Sequence, residues 1–254
     1  VRRLEGKGVL VAGGGGIGGA LAARFASEGA GVVLGDLDLA AAQVVVDRIV
    51  ADGGRAVAVH LDGADEDSIA SAVATTVSAY GGLDGLHVNF ASFVDSADGV
   101  GVVDLPLEVF DEAVRVNQRG HLLCTKLALP PMIERGGGSI VYTSSAAAYL
   151  GETTRLPYAM SKAAGLALMR HVASRYGRNG VRANAIAPGL IVHPRALAEL
   201  PPEFVQNAVK RTWIKSRLGA PEDVAATAAH LMSDDGAYIT GQVISVDGGA
   251  TRRA

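Results

Sequence analysis

Short apolar runs alternate with longer stretches of helical spacing along the whole chain, and this alternation constrains the fold more than any other feature. Residues 9–12, 31–34, 56–61, 86–90, 139–143, 181–186 and 243–246 read as strands, rich in Val, Ile and Leu. Between them, residues 17–28, 39–52, 65–80, 107–134, 158–176 and 221–233 have helical periodicity or composition, with Gly29, Gly53, Gly81 and Gly177 at expected helix ends. Strands joined through helices pair in parallel, and a parallel sheet must be covered on both faces. The expected class is therefore α/β: a doubly wound parallel seven-stranded sheet with helices on both faces. No repeat, linker or charge block interrupts the pattern, so residues 1–254 are expected to form one domain. The least regular stretch, 190–218, holds Pro194, Pro201, Pro202 and the sole tryptophan, Trp213, and is a candidate substrate lid.

The charge balance excludes some partners. A net charge of -3 provides no field for nucleic acid or an anionic membrane. The first apolar run, 9–12, is too short for a signal peptide or a membrane span, so a cytoplasmic protein is expected. The single cysteine, Cys124, lies in an apolar run and reads as a core residue. His60, His87, His121, His171, His193 and His230 show no paired ligand spacing, and no metal site is expected.

Chemistry concentrates first in the run Ala12-Gly13-Gly14-Gly15-Gly16-Ile17-Gly18-Gly19, which ends a strand and opens a helix. Gly14, Gly16 and Gly19 satisfy G-x-G-x-x-G. Glycines there let the backbone approach a pyrophosphate, whose charge is met by free N–H groups at the helix start. A glycine run alone is a weak signal; its place between strand and helix, with an acidic residue ending the next strand, strengthens it. Asp36 is that residue, placed to accept hydrogen bonds from adenosine ribose hydroxyls and to repel a 2'-phosphate, which favours NAD over NADP. Asp36 or Asp38 could instead cap the helix from Leu39, and Asp38 is the better placed. Leu37 follows Asp36 with no basic side chain, and Asp62 could reach the adenine or cap its own loop.

A second concentration is Tyr158 and Lys162, four residues apart on an expected helix and so on one face, with Ser145 ending the fifth strand upstream. An unperturbed tyrosine has a pKa of about 10 and is idle as a base near neutrality; a nearby ammonium favours the phenolate. A hydroxyl from Ser145 would hold the reacting oxygen. By spacing alone, the pair could equally be an ordinary surface contact.

Together, the glycine turn, Asp36, Ser145 and the Tyr158/Lys162 pair resemble the short-chain dehydrogenases/reductases over essentially the whole chain, which implies the Rossmann fold. The resemblance extends to Asn117, matching a fourth catalytic position, to Asn184-Ala-Ile-Ala-Pro188-Gly189, and to the tail around Gly241 and Gly249. It implies that Tyr158 is the general acid/base, that Lys162 tunes it and binds the nicotinamide ribose, that Ser145 orients the substrate and that Asn117 anchors a water relay. It places Gly13, Gly14, Gly15, Gly16, Ile17, Asp36, Leu37, Asp62, Asn89, Ala91, Pro188, Gly189 and Ile191 against NAD, beside Tyr158 and Lys162. The implied activity is that of an NAD-dependent alcohol dehydrogenase or ketoreductase acting on a small-molecule secondary alcohol or the corresponding ketone, and the implied assembly is a homotetramer, with Ala163-Ala164-Gly165 allowing close helix packing. An NADPH-dependent 3-oxoacyl-carrier reductase and a non-catalytic NAD sensor are the alternatives. The chain departs from the family pattern in three places. Its glycine motif is one residue short, with Ala12 in place of a threonine; Phe90 stands where a second asparagine is usual; and His193 stands where a threonine is common. The connection at 93–103 and the polar loop residues Glu152, Thr153, Thr154 and Arg155 are candidate pocket walls.

Overall fold

The computed structural model describes residues 2–93, 99–151, 153–193, 197 and 200–252. Glu152, Pro194 and residues 94–98 lie outside them. Seven strands form one parallel sheet: β1 (Gly8–Ala12), β2 (Gly31–Asp36), β3 (Arg55–His60), β4 (Gly85–Val88), β5 (Gly138–Thr143), β6 (Val181–Pro188) and β7 (Val243–Val246), in the order β3-β2-β1-β4-β5-β6-β7. The central strands β1 and β4 are buried along their whole length, because helices cover both faces and every side chain of a central strand meets one of them. The edge strands β3 and β7 are only partly buried.

Helices α1 (Gly16–Ser27), α2 (Leu39–Ala51) and α8 (Pro221–Met232) enclose one core, around Leu21, Phe25, Val32, Leu34 and Val224. On the other face, α3 (Glu66–Tyr80), α5 (Gly120–Glu134) and α6 (Leu156–Tyr176) enclose a second, around Leu10, Ile69, Leu86, Met132, Tyr142 and Met169. Each fully buried aliphatic side chain contributes about 1.5–3 kcal/mol relative to exposure, so the two layers together drive the fold.

Several boundaries depart from expectation. The stretch 107–134 is not one helix: α4 (Leu107–Ala113) passes into a π-helical turn, Val114–Arg119, before α5. Composition stays helical from 107 to 120, so nothing in the sequence there marks the wider turn. Gly81 closes α3 with φ +74°, as expected of a left-handed cap, but Gly177 keeps helical φ and opens a 3-10 turn that Gly180 closes with φ +78°. The irregular 190–218 stretch contains a helix, α7 (Pro202–Lys210), begun by prolines that supply no N–H and need none there.

Order reverses between β1 and β4: the chain builds outward from β1 to β3, then returns to β4 on the other side. Their connections leave in opposite directions and open a crevice at the carboxyl ends of the strands, the place where such sheets bind ligands.

Candidate active site

The glycine turn follows β1, Asp36 ends β2, Asp62 follows β3, Asn89 follows β4, Ser145 follows β5 and Pro188 ends β6. Since all strands are parallel, these residues share the carboxyl edge of the sheet.

In the turn, Gly13 has φ +106°, and a Cβ there would meet the Phe90 nitrogen at 2.5 Å. A Cβ on Gly18 would lie 1.8 Å from the Gly13 carbonyl oxygen, so the start of α1 packs directly on the turn. Ala12, where a threonine was expected, needs no hydroxyl: its carbonyl accepts from Asn89 N and Phe90 N at 2.8 and 2.9 Å. Gly15 and Gly16 are exposed and face open space, and α1 begins with no side-chain cap and no acidic residue in its first turn. Its first N–H groups therefore have no side-chain partner from this turn, the kind of helix start that can receive an anion. Ile17 turns back and packs against the α1 core.

Asp36 accepts from Gly14 N at 2.6 Å and from Asp38 N at 2.9 Å. A carboxylate has about four acceptor sites, so both oxygens keep capacity for a ribose. Asp38 caps α2 through Ala41 N at 3.0 Å, which removes the capping alternative for Asp36. Leu37, two-thirds exposed, stands beside it with no basic group. Asp62 accepts from Ala64 N at 2.8 Å, the loop-capping arrangement.

Around Tyr158 the polar groups are side chains. Lys162 is buried, and its Nζ lies 5.5 Å from the Tyr158 ring centroid and donates to the Thr143 carbonyl at 2.8 Å. Burial pushes the Lys162 ammonium down to about 7. Asn117, in the π-helical turn, accepts from Ser92 N at 2.7 Å and donates to Ser92 O and to Ser161 Oγ at 3.1 and 3.2 Å. Ser161 Oγ in turn donates to the Tyr158 carbonyl at 2.7 Å. Ser145 begins the 3-10 turn Ala146–Ala148 and accepts from Ala147 N at 3.1 Å. Phe93 stacks on Tyr158 with ring centroids 4.8 Å apart, and the Arg155 guanidinium lies 5.6 Å from the same ring.

After β6, Gly189 packs on Asp247 and Ile191 bridges to Gly219, while His193 is exposed. Ala91 is half-buried beside Asn89. Among the described residues no three His, Cys, Asp or Glu side chains gather, and no helix is long and apolar enough to cross a membrane.

Residues 11–251 match the family model described as enoyl-(acyl carrier protein) reductase. The chain belongs to the short-chain dehydrogenase/reductase family. It is 43% identical to a probable short-chain type dehydrogenase/reductase of Bradyrhizobium diazoefficiens, covering 97% of this chain and 88% of that one. A 7alpha-hydroxysteroid dehydrogenase of Bacteroides fragilis is 34% identical, over 99% and 96% of the two chains. Among solved structures, a 7alpha-hydroxysteroid dehydrogenase in complex with NADH and 7-oxo glycochenodeoxycholic acid superposes with a TM-score of 0.89 at 34% identity, covering 98% of this chain and 95% of that one.

In this short-chain dehydrogenase/reductase, sequence reading missed Ser92, Ser161 and Thr143, which carry the bonds that place Asn117, Tyr158 and Lys162. The one available signal was Thr143, a hydroxyl at the carboxyl end of a buried central strand.

Proposed function

We propose that this oxidoreductase is NAD(H)-dependent and interconverts a secondary alcohol and its ketone, with Tyr158 as the general acid/base. The observation that carries the reading is the buried Lys162 beside the Tyr158 ring, its Nζ 5.5 Å from the ring centroid. A cation there favours the phenolate, the form that accepts a proton from an alcohol. Ser145 Oγ already accepts from Ala147 N, so its O–H is left to donate to the substrate oxygen. In oxidation Tyr158 Oη takes the hydroxyl proton while Ser145 holds that oxygen in place; in reduction Tyr158 returns the proton to the carbonyl oxygen. Asn117, tied to Ser92 and Ser161, sets the start of α6 and would anchor a water leading the proton out to solvent.

The N–H groups of Gly15, Gly16 and Ile17 would hold the diphosphate, with Gly13 and Gly14 shaping the turn beside it. Asp36 and Leu37 would border the adenosine ribose, Asp62 the adenine, Asn89 and Ala91 the middle of the cofactor, and Pro188, Gly189 and Ile191 the nicotinamide. Bound NAD supplies the hydride acceptor, and the reduced form the donor. Asp36 would face the 2'-phosphate of NADP with like charge, which weighs against an NADPH-dependent 3-oxoacyl-carrier reductase. The names of the hydroxysteroid dehydrogenase relatives are consistent with an alcohol on a ring. A homotetramer in the cytoplasm and a lid at 190–218 complete the reading.

A screen of secondary alcohols and ketones with NAD and NADP, followed by reduced-nicotinamide absorbance, tests it. Tyr158→Phe is expected to lower turnover by about 10³-fold, within the range of acid/base catalysis, while NAD affinity changes only a few-fold. Unchanged activity removes the tyrosine's role, and an NADP preference in the parent overturns that of Asp36.

A further inference from the structure

Strand β4 is buried throughout, yet its third residue is a histidine. His87 is fully buried, and its Nε2 lies 2.8 Å from Thr143 Oγ1. Thr143 Oγ1 is 2.9 Å from Asn89 Oδ1, and Asn89 Nδ2 is 3.0 Å from the Gly13 carbonyl oxygen. These contacts form a polar chain from the middle of the sheet to the glycine turn.

The end of the chain fixes every proton in it. The Gly13 carbonyl can only accept, so Asn89 must present its NH₂ group there and turn Oδ1 toward Thr143. That oxygen also only accepts, so the Thr143 hydroxyl spends its single proton on Asn89. What remains for His87 Nε2 is to donate to Thr143. The imidazole is therefore neutral with its proton on Nε2, and Nδ1 keeps a lone pair. Nδ1 is buried and has no hydrogen-bond partner among the described residues, which fits an unprotonated nitrogen in an apolar layer near Phe25. A buried imidazolium there would also stand close to Lys162, and burial together with that cation holds His87 down at about 3.

We propose that His87, as its Nε2–H tautomer, is a positioning residue for the dinucleotide turn: through Thr143 and Asn89 it fixes the Gly13 carbonyl, and with it the direction in which the following N–H groups point. Gly13 sits at φ +106° with its N–H held by the Gly35 carbonyl and its own carbonyl held by Asn89, so releasing that carbonyl frees one side of the peptide that aims the cradle. Thr143 also receives Lys162 Nζ on its main-chain oxygen, so one residue of β5 ties the turn and the catalytic lysine to the same strand. This role rests on the reading of the glycine turn as a dinucleotide site.

Three variants and one spectrum test it. The terminal amide nitrogen of glutamine reaches the Nε2 position, whereas that of asparagine stops at the depth of Nδ1. His87→Gln is expected to bind NAD within about threefold of the parent. His87→Asn and His87→Leu are expected to bind it about tenfold more weakly, the effect of one buried hydrogen bond left unmade. Turnover at saturating NAD should change only a few-fold in all three. Long-range ¹H–¹⁵N spectra of the ligand-free parent should show His87 neutral and protonated on Nε2. Equal NAD affinity in the Gln and Asn variants overturns the proposal, even if His87→Leu fails to fold, and so does an Nδ1–H tautomer. Lower melting temperatures with unchanged NAD affinity reduce His87 to core filling, which also overturns it. A parent that binds no dinucleotide sinks the cofactor reading and this role with it, while the spectrum still decides the hydrogen-bond assignment.

Discussion

In the glycine turn the groups available to a ligand are main-chain N–H groups, aimed by Gly13, by the close approach of Gly18 and by the Asp36 and Asn89 bonds. Around Tyr158, on the same edge of the sheet, they are side chains: a phenol, an ammonium and a hydroxyl borne by α6 and the end of β5. The difference decides what a substitution can do. A change in the turn alters shape, and so binding and stability together. A change beside Tyr158 alters chemistry while leaving the fold intact.

The largest effect is expected from Lys162→Met, which keeps the buried volume and removes the cation: turnover should fall by about 10³-fold. The same variant sharpens the contrast through stability. Folded Lys162 is held down to about 7 from 10.5, so between those values the unfolded chain binds more protons and parental stability rises with pH, by at most about 1.4 kcal/mol per pH unit. Below about pH 7 both states are protonated and the slope vanishes. Urea unfolding at pH 7, 8 and 9 should show a rise in the parent that Lys162→Met lacks; equal slopes would mean that Lys162 keeps its proton on folding and that burial does not depress it.

Next comes Gly18→Ala. Its methyl would collide with the Gly13 carbonyl, so the turn must open, costing about 1–3 kcal/mol and weakening NAD about 10- to 100-fold. Calorimetric titration together with thermal melting checks both. Loss of turnover with NAD affinity intact would break the division between the two regions.

A smaller change is expected from Asp36→Ala, which should lower the ratio of NAD to NADP efficiency about tenfold, as for a lost hydrogen bond to a charged group. Steady-state efficiencies with each cofactor decide it. The smallest signal is optical. Trp213, two-thirds exposed, lines a cavity of about 490 Å³ with Leu190, Leu218 and Val246, and NADH is expected to alter its fluorescence. No change at saturation would separate the 190–218 segment from the cofactor.

The strands and most helices were legible because central strands of a doubly wound sheet are apolar on both faces and their connections carry helical spacing. The π-helical turn at Asn117 was not, since it differs from α-helix by one residue in the span of each hydrogen bond and not by composition. Helix α7 hid behind Pro201 and Pro202, which can break a helix or begin one. Asp38 could be separated from Asp36 because a cap has a fixed offset from its helix. The Asn89 bond to Gly13 was not legible, because it joins residues 76 apart through a chain that begins with a histidine and a threonine in other strands.

Asp36 carries one further consequence. The oxygen that would greet a ribose also holds Gly14 N, so the residue proposed to set cofactor choice would also shape the proposed phosphate cradle. If Asp36 selects NAD as proposed, replacing this carboxylate would loosen the turn and so weaken both dinucleotides before favouring NADP. Redirecting this scaffold therefore calls for a paired change: a new acceptor for Gly14 alongside any cation introduced at Leu37.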